Sequence, residues 1–394
     1  MRRIIRISKI EMGDEEREGI LDVLNSGWIS ESSPKIREFE KSWAKYIGTK
    51  QSILTNSGTS ALIAGLQALK IKYDIPNGKK VITTPVTYIA TSNAIVLSNL
   101  EPVYCDVDRE KFLIQPEGIE KLLEKNPEEY CGILPVHLMG YACDMDAINS
   151  IAKKHGLFVF EDAAQAHGTK YNGKIVGSLG DISDFSFYIA HNIQVGELGA
   201  VNSNDPELIR LIRKIKANGR LCDCTICTRS QGTCPKMNED YDPRFKHDII
   251  GYNFKTTAFQ AALALAQFGK IDEIIKKRSN NVKYLNENLK HHSGLQFPIY
   301  DENVSYLAYP IITENRMHIR QELEKQGIET RTLFECIPTQ QPAYSKYAKS
   351  YKGKLPNAEY IGTNGFYIGC HQYLEKEDLE YVVETFDNIL GGKQ

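Results

Sequence analysis

The sequence predicts an α/β protein with a mostly parallel sheet covered by helices on both faces. Between Lys80 and Phe160, short apolar runs alternate with stretches of helical periodicity, which is the pattern of successive strand–helix units. The chain has 394 residues, which is long for one domain and suits two. We therefore expect a large domain over residues 1–270 and a smaller α/β domain over residues 271–394.

Two amphipathic helices are predicted ahead of the first strand. Residues 8–27 carry apolar side chains at helical spacing and three acidic residues in the first turn, where the helix dipole favours negative charge. The second helix places Ile36, Phe39, Trp43 and Tyr46 on one face.

The first predicted strand, 52–55, leads into a serine-rich turn that contains Gly58, Thr59 and Ser60. A strand, a tight glycine turn and a helix start follow one another here. The exposed backbone N–H groups and hydroxyls of such a turn can hold a phosphate. Serine and threonine are also favoured as ordinary helix caps, so these residues alone leave both interpretations open.

The sheet is expected to continue with four more strands, at 81–84, 102–105, 132–136 and 157–160. Ligands of parallel sheets bind beyond the carboxyl ends of the strands. The last of these strands runs into Glu161 and Asp162, so a carboxylate is well placed to reach a ligand. A long charged helix over 270–290 then leads towards the smaller domain, which has a predicted strand at 305–312 and helices at 317–327 and 376–390.

Composition excludes several classes of protein. Lys and Arg number 48 and Asp and Glu 50, for a net charge of −2, so there is no electrostatic reason to expect nucleic acid or an anionic membrane as a partner. No apolar run approaches the roughly 18–20 residues of a spanning helix. The basic start has no apolar signal core behind it. We expect a cytoplasmic enzyme, with its nine cysteines as free thiols or metal ligands.

Two short segments suggest a family. Residues 185–192, FSFYIAHN, and residues 196–201, GELGAV, resemble the cofactor-lysine motif of the DegT/StrS family of pyridoxal-phosphate-dependent sugar aminotransferases. The family has a Lys-Asn pair in this motif, and its lysine amine bonds covalently to the cofactor aldehyde. Asn192 is present here, but His191 stands at the lysine position. Imidazole has no primary amine, yet it moves protons near neutral pH.

The resemblance covers nearly the whole chain and implies the type I fold of aspartate aminotransferase. It also implies how the cofactor phosphate is held. The family's phosphate grip falls on Gly58, Thr59 and Ser60, with a further hydroxyl from Ser186.

The same resemblance assigns the remaining cofactor contacts. Tyr88 is expected to stack on the ring, Asp162 to pair with the pyridine nitrogen and Gln165 to contact the ring hydroxyl. A carboxylate at the nitrogen keeps the ring protonated, which makes it an electron sink. Asn253 matches a family residue that reaches the cofactor phosphate of the neighbouring subunit, which implies a homodimer.

Histidine at the lysine position is similar to a branch of the family, the sugar 3-dehydratases, that uses pyridoxamine 5′-phosphate. In that branch the histidine is the acid–base residue, and the C3 hydroxyl leaves a nucleotide-linked 4-keto-6-deoxyhexose. We therefore expect His191 to be catalytic. One alternative is a glutamate-dependent dehydratase or aminotransferase with a structural metal loop, and another is a non-catalytic family member that has lost its lysine.

The loop at 220–236 concentrates four cysteines, Cys222, Cys224, Cys227 and Cys234, in a polar stretch. Such a dense array is what a thiolate-bound metal needs. One group of 3-dehydratases carries a [2Fe–2S] cluster in this region and receives electrons from a reductase, so the resemblance implies a [2Fe–2S] cluster and a reductase partner. Zinc suits four thiolates equally well, and reversible disulfides are a further alternative.

Two features depart from that iron–sulfur pattern. Its upstream cysteine corresponds here to Ala164, and the segment 161–165, EDAAQ, is more similar to the aminotransferases. The sugar itself is not identified by any residue pattern. Candidates for its contacts are Trp28, His137, Arg331 and the stretch 369–372.

Overall fold

The fold was taken from a computed structural model, which describes residues 3–224, 232–236, 240, 242–243 and 245–391. Of the predicted metal ligands, Cys227 lies outside these residues. None of the described helices is both long and apolar enough to cross a bilayer.

The first half of the chain alternates helices and strands. In order these are α1 (Asp14–Ser26), α2 (Pro34–Ile47), β1 (Gln51–Thr55), α3 (Gly58–Lys72), β2 (Lys80–Thr83), α4 (Ala90–Leu97), β3 (Glu101–Tyr104), α5 (Pro116–Leu123), β4 (Tyr130–Leu134), α6 (Met145–His155), β5 (Phe158–Asp162), β6 (Lys170–Tyr171), β7 (Lys174–Ile175), β8 (Ile182–Ser186), β9 (Gly199–Ser203) and α7 (Pro206–Ile215).

The second half is mainly helical. It contains α8 (Ala258–Phe268), α9 (Ile271–Leu289), β10 (Tyr309–Ile312), α10 (Arg316–Lys325), β11 (Arg331–Thr332), α11 (Ile337–Gln340), α12 (Ser345–Tyr351), α13 (Pro356–Asn364), β12 (Gly365–Ile368) and α14 (Lys376–Leu390).

The main sheet has seven strands in the order β1-β9-β8-β5-β4-β2-β3. The pairs from β8 through β3 are parallel, and β9 is antiparallel to both of its neighbours. The expected mostly parallel sheet is therefore confirmed. Strands β10, β12 and β11 form a separate antiparallel sheet. The domain boundary at residue 270 stays a prediction.

Two predicted elements start later than expected. Helix α1 begins at Asp14 because the Glu16 carboxylate accepts the N–H of Gly13 at 2.9 Å and caps the first turn. Strand β10 begins at Tyr309, since the preceding backbone bonds elsewhere. The N–H of Ser305 donates to the Thr169 hydroxyl at 3.0 Å, and that of Leu307 donates to the carbonyl of Met139.

An aromatic cluster packs beneath β8 and the loop that follows it. Trp43 of α2 is fully buried and meets Phe185 and Phe187 edge-on, with ring centroids 5.0 Å and 5.1 Å apart. Phe39 meets Phe187 in the same way at 5.3 Å. Edge-to-face pairs of this kind add to the apolar burial of each ring. The cluster thus anchors the strand end that carries Ser186.

Candidate cofactor site

A cavity of about 990 Å³ opens at the carboxyl ends of β5 and β8. Its walls come from the start of α3, from the turn before α4, from the loop 187–198 and, on the far side, from the region of β11. The predicted residues Gly58, Thr59, Tyr88, Asp162, Gln165, Ser186 and His191 all line it. This is the position at which ligands bind in open α/β sheets.

The start of α3 faces the cavity and approaches β8 very closely. A Cβ atom added to Gly58 would lie 2.6 Å from the Cβ of Ser186, so only glycine fits at this position. The Ser57 hydroxyl accepts the N–H of Ser60 at 3.1 Å and caps the helix. The first backbone N–H groups of α3 and the hydroxyls of Thr59 and Ser186 therefore remain for an anion.

Ser60 contributes differently from the other predicted phosphate residues. Its hydroxyl bonds the Ser57 hydroxyl at 3.0 Å, and it is Ser57, not Ser60, that lines the cavity. Both residues sit in the same serine-rich turn. Which of the two serine side chains points into the cavity depends on the exact residue at which α3 begins. The pattern of residue types does not fix that residue.

Asp162 is the last residue of β5 and is almost fully buried. Its carboxylate accepts the Thr91 hydroxyl at 2.7 Å and the N–H of Ala164 at 3.3 Å. Thr91 in turn bonds the Thr87 hydroxyl at 3.1 Å. Burial raises the pKa of the Asp162 carboxyl, and the bonds from Thr91 and Ala164 oppose that rise. Neither threonine was predicted from the sequence to belong to the site. The available signal was their spacing of four residues across the start of α4, which allows one hydroxyl to bond the other.

Gln165 and Tyr88 stand on either side of the cavity. The Gln165 side-chain oxygen accepts the N–H of Met139 at 3.0 Å, which leaves its NH₂ group to donate into the cavity. The Tyr88 ring is 60% exposed and lies 6.2 Å from the ring of Phe334, at an interplanar angle of 61°. An aromatic face is thus available to a planar ligand.

His191 is half-buried in the loop between β8 and β9, and three hydrogen bonds fix its position. The backbone N–H of His191 donates to the carbonyl of Tyr188 at 2.9 Å, and the side chain of the next residue, Asn192, donates to the Ser305 hydroxyl at 2.6 Å. The imidazole Nδ1 of His191 lies 2.6 Å from the carbonyl oxygen of Ser186. A carbonyl only accepts, so Nδ1 carries the proton and Nε2 presents a lone pair.

The environment keeps this imidazole neutral. Burial lowers the pKa of His191 to about 4; the Ser186 carbonyl opposes the shift and the charge of Arg278 adds to it. Nε2 has no hydrogen-bond partner among the described residues. At neutral pH His191 therefore stands beside the cavity as a base.

The cavity lining carries charges of both signs. Among the described residues that line it there is no lysine; its cations are Arg320 and Arg331, and Glu197 and Glu335 line it as well. The candidate His137 does not contribute, because its ring is fully buried and bonds Glu161 at 3.1 Å. Trp28 and the stretch 369–372 are likewise outside the lining.

Comparison with known proteins decides the family. A family model described as the DegT/DnrJ/EryC1/StrS aminotransferase family matches residues 10–387. The chain belongs to this family. Over 398 residues it is 31% identical to GDP-perosamine synthase of Caulobacter vibrioides, with 98% of each protein covered.

Two further similarities are to dehydratases. The chain is 31% identical over 374 residues to dTDP-4-dehydro-2,6-dideoxy-D-glucose 3-dehydratase of Saccharopolyspora spinosa, covering 90% of this chain and 80% of that protein. The structure of E. coli GDP-4-keto-6-deoxy-D-mannose-3-dehydratase with bound hydrated pyridoxal phosphate superposes with a TM-score of 0.84 at 24% identity, covering 97% and 100% of the two chains. This confirms the predicted type I fold. The named relatives include both a synthase and a dehydratase.

The cavity fits the pyridoxal-type cofactor of the DegT/DnrJ/EryC1/StrS family. Gly58 lets the start of α3 approach β8 closely, so that Thr59 and Ser186 line the cavity together. Asp162 supplies a buried carboxylate, and Gln165 supplies a free amide donor. Because no lysine lines the cavity in the described residues, the lining has no amine to which the cofactor would bond covalently.

Asn253 is not among the residues that line the cavity of its own chain. It is exposed, and the rings of its two neighbours, Tyr252 and Phe254, stack on each other with centroids 4.6 Å apart. Its backbone pairs with that of Ala217. The expected contact of Asn253 with the cofactor phosphate of a neighbouring subunit stays a prediction.

The cysteine loop is described only in part. Cys222, Cys224 and Cys234 are half-buried free thiols. Burial and the neighbouring Cys222 thiol raise the pKa of Cys224, and Lys236 opposes the shift. The residues described in this loop do not gather three metal-ligand atoms at one point. They fall short of a complete metal site, and the cluster stays a prediction.

Proposed function

We propose that this protein is a pyridoxamine-phosphate-dependent enzyme that removes the C3 hydroxyl of a nucleotide-linked 4-keto-6-deoxyhexose. The observation that carries the proposal is His191, which occupies the lysine position of the family motif with Nδ1 bonded to the Ser186 carbonyl. A histidine fixed in this tautomer serves as a proton carrier and cannot act as a covalent anchor.

The cofactor would be held by groups at its two ends. The start of α3, Thr59 and Ser186 would bind the phosphate, Asp162 would pair with the ring nitrogen, and the Gln165 NH₂ would donate to the ring oxygen. When bound, pyridoxamine phosphate supplies a primary amine that joins a keto sugar and a ring that accepts an electron pair. Asp162 keeps that ring nitrogen protonated.

His191 would move the proton. Its Nε2 accepts a proton beside the ring, and the same proton then passes to the C3 oxygen of the sugar as the C3–O bond breaks and water leaves. The lowered pKa keeps the imidazole unprotonated at neutral pH, so Nε2 is free to accept a proton, and it makes the protonated imidazole a ready donor for the second step. One residue thus serves both transfers.

Two arginines of the cavity lining suit an anionic substrate. Arg331 and Arg320 each lie 3.4 Å from a glutamate, Glu329 and Glu324, and the remaining donors of a guanidinium pair well with phosphate oxygens. The names of the relatives given above include GDP- and dTDP-linked sugars, which supports a nucleoside diphosphate beside these arginines.

We further propose a cytoplasmic homodimer in which the partner's Asn253 completes each site. The cysteine loop would bind a [2Fe–2S] cluster and accept electrons from a reductase. The grouping of the free thiols Cys222, Cys224 and Cys234 in one loop supports this, and zinc is the alternative. No step of the dehydration is assigned to the metal.

The deciding experiment follows the C3 oxygen. The purified protein, loaded with pyridoxamine phosphate, would be given GDP- and dTDP-linked 4-keto-6-deoxyhexoses labelled with ¹⁸O at C3. We expect the label to appear in water. His191→Asn serves as the matched control, and we expect it to release little label.

Two results would contradict the proposal. An amino sugar that retains the C3 label, formed with L-glutamate as donor, would show an aminotransferase, the activity suggested by the similarity to GDP-perosamine synthase. Binding of the sugar with neither label release nor amino-sugar formation would show a non-catalytic protein.

A further inference from the structure

Asp184 is an acidic residue in the middle of β8 that the cofactor contacts above do not use. It is fully buried, and neither of its carboxylate oxygens has a hydrogen-bond partner among the described residues. It nevertheless belongs to the cavity lining, below the point where Ser186 meets the start of α3. Burying a carboxylate without a hydrogen-bond partner costs free energy, so we expect Asp184 either to bind a ligand or to keep a proton.

The register of the sheet places this acid beside Asp162. Strands β5 and β8 are parallel, and Asp162 is paired with Asp184. Directly paired residues of neighbouring strands point to the same face of a sheet. Both side chains line the same cavity. Two carboxyls on one buried face cannot both ionise at neutral pH without strong repulsion.

The other elements packed against Asp184 bring no opposite charge. On the other side, β9 places Val201 next to Asp184. Helix α3 has no ionisable residue between Gly58 and Leu69. The loop 187–198 contributes the neutral imidazole of His191 and one further acid, Glu197, which also lines the cavity. Burial, and then the charge of Asp162, raise the pKa of Asp184 well above its usual range.

We propose that Asp162 and Asp184 carry a single negative charge between them in the cofactor-free protein, with the proton on Asp184, and that Asp184 acts through Asp162 as a positioning acid for the ring nitrogen of the bound cofactor. The neutral Asp184 carboxyl leaves that charge on Asp162. The pair presents a single negative charge to a protonated ring. This inference rests on the cofactor contact assigned to Asp162 under the proposed function.

The first test needs no cofactor, so it stands even if the proposed function fails. Asp184 is ionised in the unfolded chain above about pH 4 but keeps its proton in the folded protein. Its presence therefore weakens folding increasingly as the pH rises. We expect Asp184→Asn to raise the melting temperature, with a gain that grows from pH 5 to pH 8 and exceeds about 2 °C at the upper end.

A double-mutant cycle with Asp162→Asn tests the pairing itself. Without the charge of Asp162, Asp184 ionises more easily, so the pH-dependent gain from Asp184→Asn should shrink in that background. Asp181→Asn is the matched control, an exposed acid just before β8 whose carboxylate accepts the N–H of Val159 at 2.8 Å. It should leave the melting temperature unchanged or lower it, and should show no gain that grows with pH. Asp184→Ser removes the same charge with a smaller side chain and covers the case in which the amide does not fold.

The second test uses the bound cofactor. At alkaline pH Asp184 ionises in the wild type, and its negative charge raises the pKa of the protonated ring nitrogen. Asp184→Asn lacks this charge. The absorption change that marks loss of the ring proton should therefore occur about one pH unit lower in the variant. A gain in melting temperature that is independent of pH, a loss at every pH, or additive effects of the two substitutions would overturn the pair.

Discussion

The cofactor cradle, formed by Gly58, Asp162, Ser186 and His191, and the cysteine loop at 220–236 are held in position in different ways. In the cradle, strand pairing fixes Asp162 and Ser186, and neighbouring hydrogen bonds orient Asp162 and His191. In the described part of the cysteine loop, the contacts include an ion pair between Lys236 and Asp223, a bond from Lys236 to the Leu221 carbonyl and a bond from the Leu221 N–H to the carbonyl of Lys246.

The cradle is preformed, whereas the cysteine loop would be completed by its metal. Hydrogen bonds and strand pairing within the protein orient the cradle before the cofactor binds. Thiols that lie together without a metal contribute little stability, whereas metal binding is coupled to the ordering of the residues that ligate it. We therefore expect substitutions in the cradle to affect chemistry and substitutions in the loop to affect metal content. Four predictions test this, from the largest expected effect to the smallest.

The largest effect is expected from His191→Asn. The amide keeps a polar side chain but removes the titrating proton, so turnover should fall about 10²–10⁴-fold, the usual contribution of acid–base catalysis. Pyridoxamine phosphate should still bind with nearly unchanged affinity, because the phosphate and ring contacts lie elsewhere. Single-turnover kinetics and cofactor titration measure the two effects. Unchanged turnover would mean that another residue moves the proton.

Gly58→Ala should break the cradle by steric contact. The new Cβ would lie 2.6 Å from the Ser186 Cβ, and overpacking of this kind costs about 1–3 kcal/mol. We expect cofactor affinity to fall roughly 5- to 150-fold. Gly269→Ala is the matched control, since its new Cβ would meet only ordinary contacts at 3.5 Å or more. Equal affinities for the two variants would contradict the close approach.

Cys224→Ser tests the loop. We expect anaerobically purified wild-type protein to be brown and to contain iron and sulfide, and the variant to lose both while its melting temperature without metal stays within about 1 °C. Cys131→Ser, outside the loop, is the control and should keep the colour. Iron and sulfide analysis decides the outcome; stoichiometric zinc without iron in the wild type would favour the structural alternative.

The smallest effect is a pH dependence of stability. The folded pKa of His191, about 4, lies below the value near 6.5 of the unfolded chain, so the unfolded state gains a proton first as the pH falls. Stability should be lost between about pH 6.5 and pH 4. His191→Asn should lose less, by a few °C in melting temperature. The same dependence of melting temperature on pH in both proteins would contradict a neutral His191 in the folded state.

Much of the cradle was predictable because its residues are local in the chain. Asp162 ends an apolar run, so strand periodicity places it at the carboxyl edge of the sheet. Ser186 and His191 lie in one short segment, 185–192, and its resemblance to the family motif predicted them. All three line the cavity. The parallel sheet followed from the same alternation.

What the sequence by itself determined about this protein is therefore the type of fold and the chemical identity of the groups at the strand ends. Only the tertiary structure decided which groups meet. Thr91 bonds Asp162 across 71 residues, and Asp184 joins Asp162 through the register of β5 and β8. The tautomer of His191 likewise depends on where the Ser186 carbonyl points. Pairing between strands and the direction of a backbone carbonyl arise from packing of the whole chain, which local periodicity does not encode.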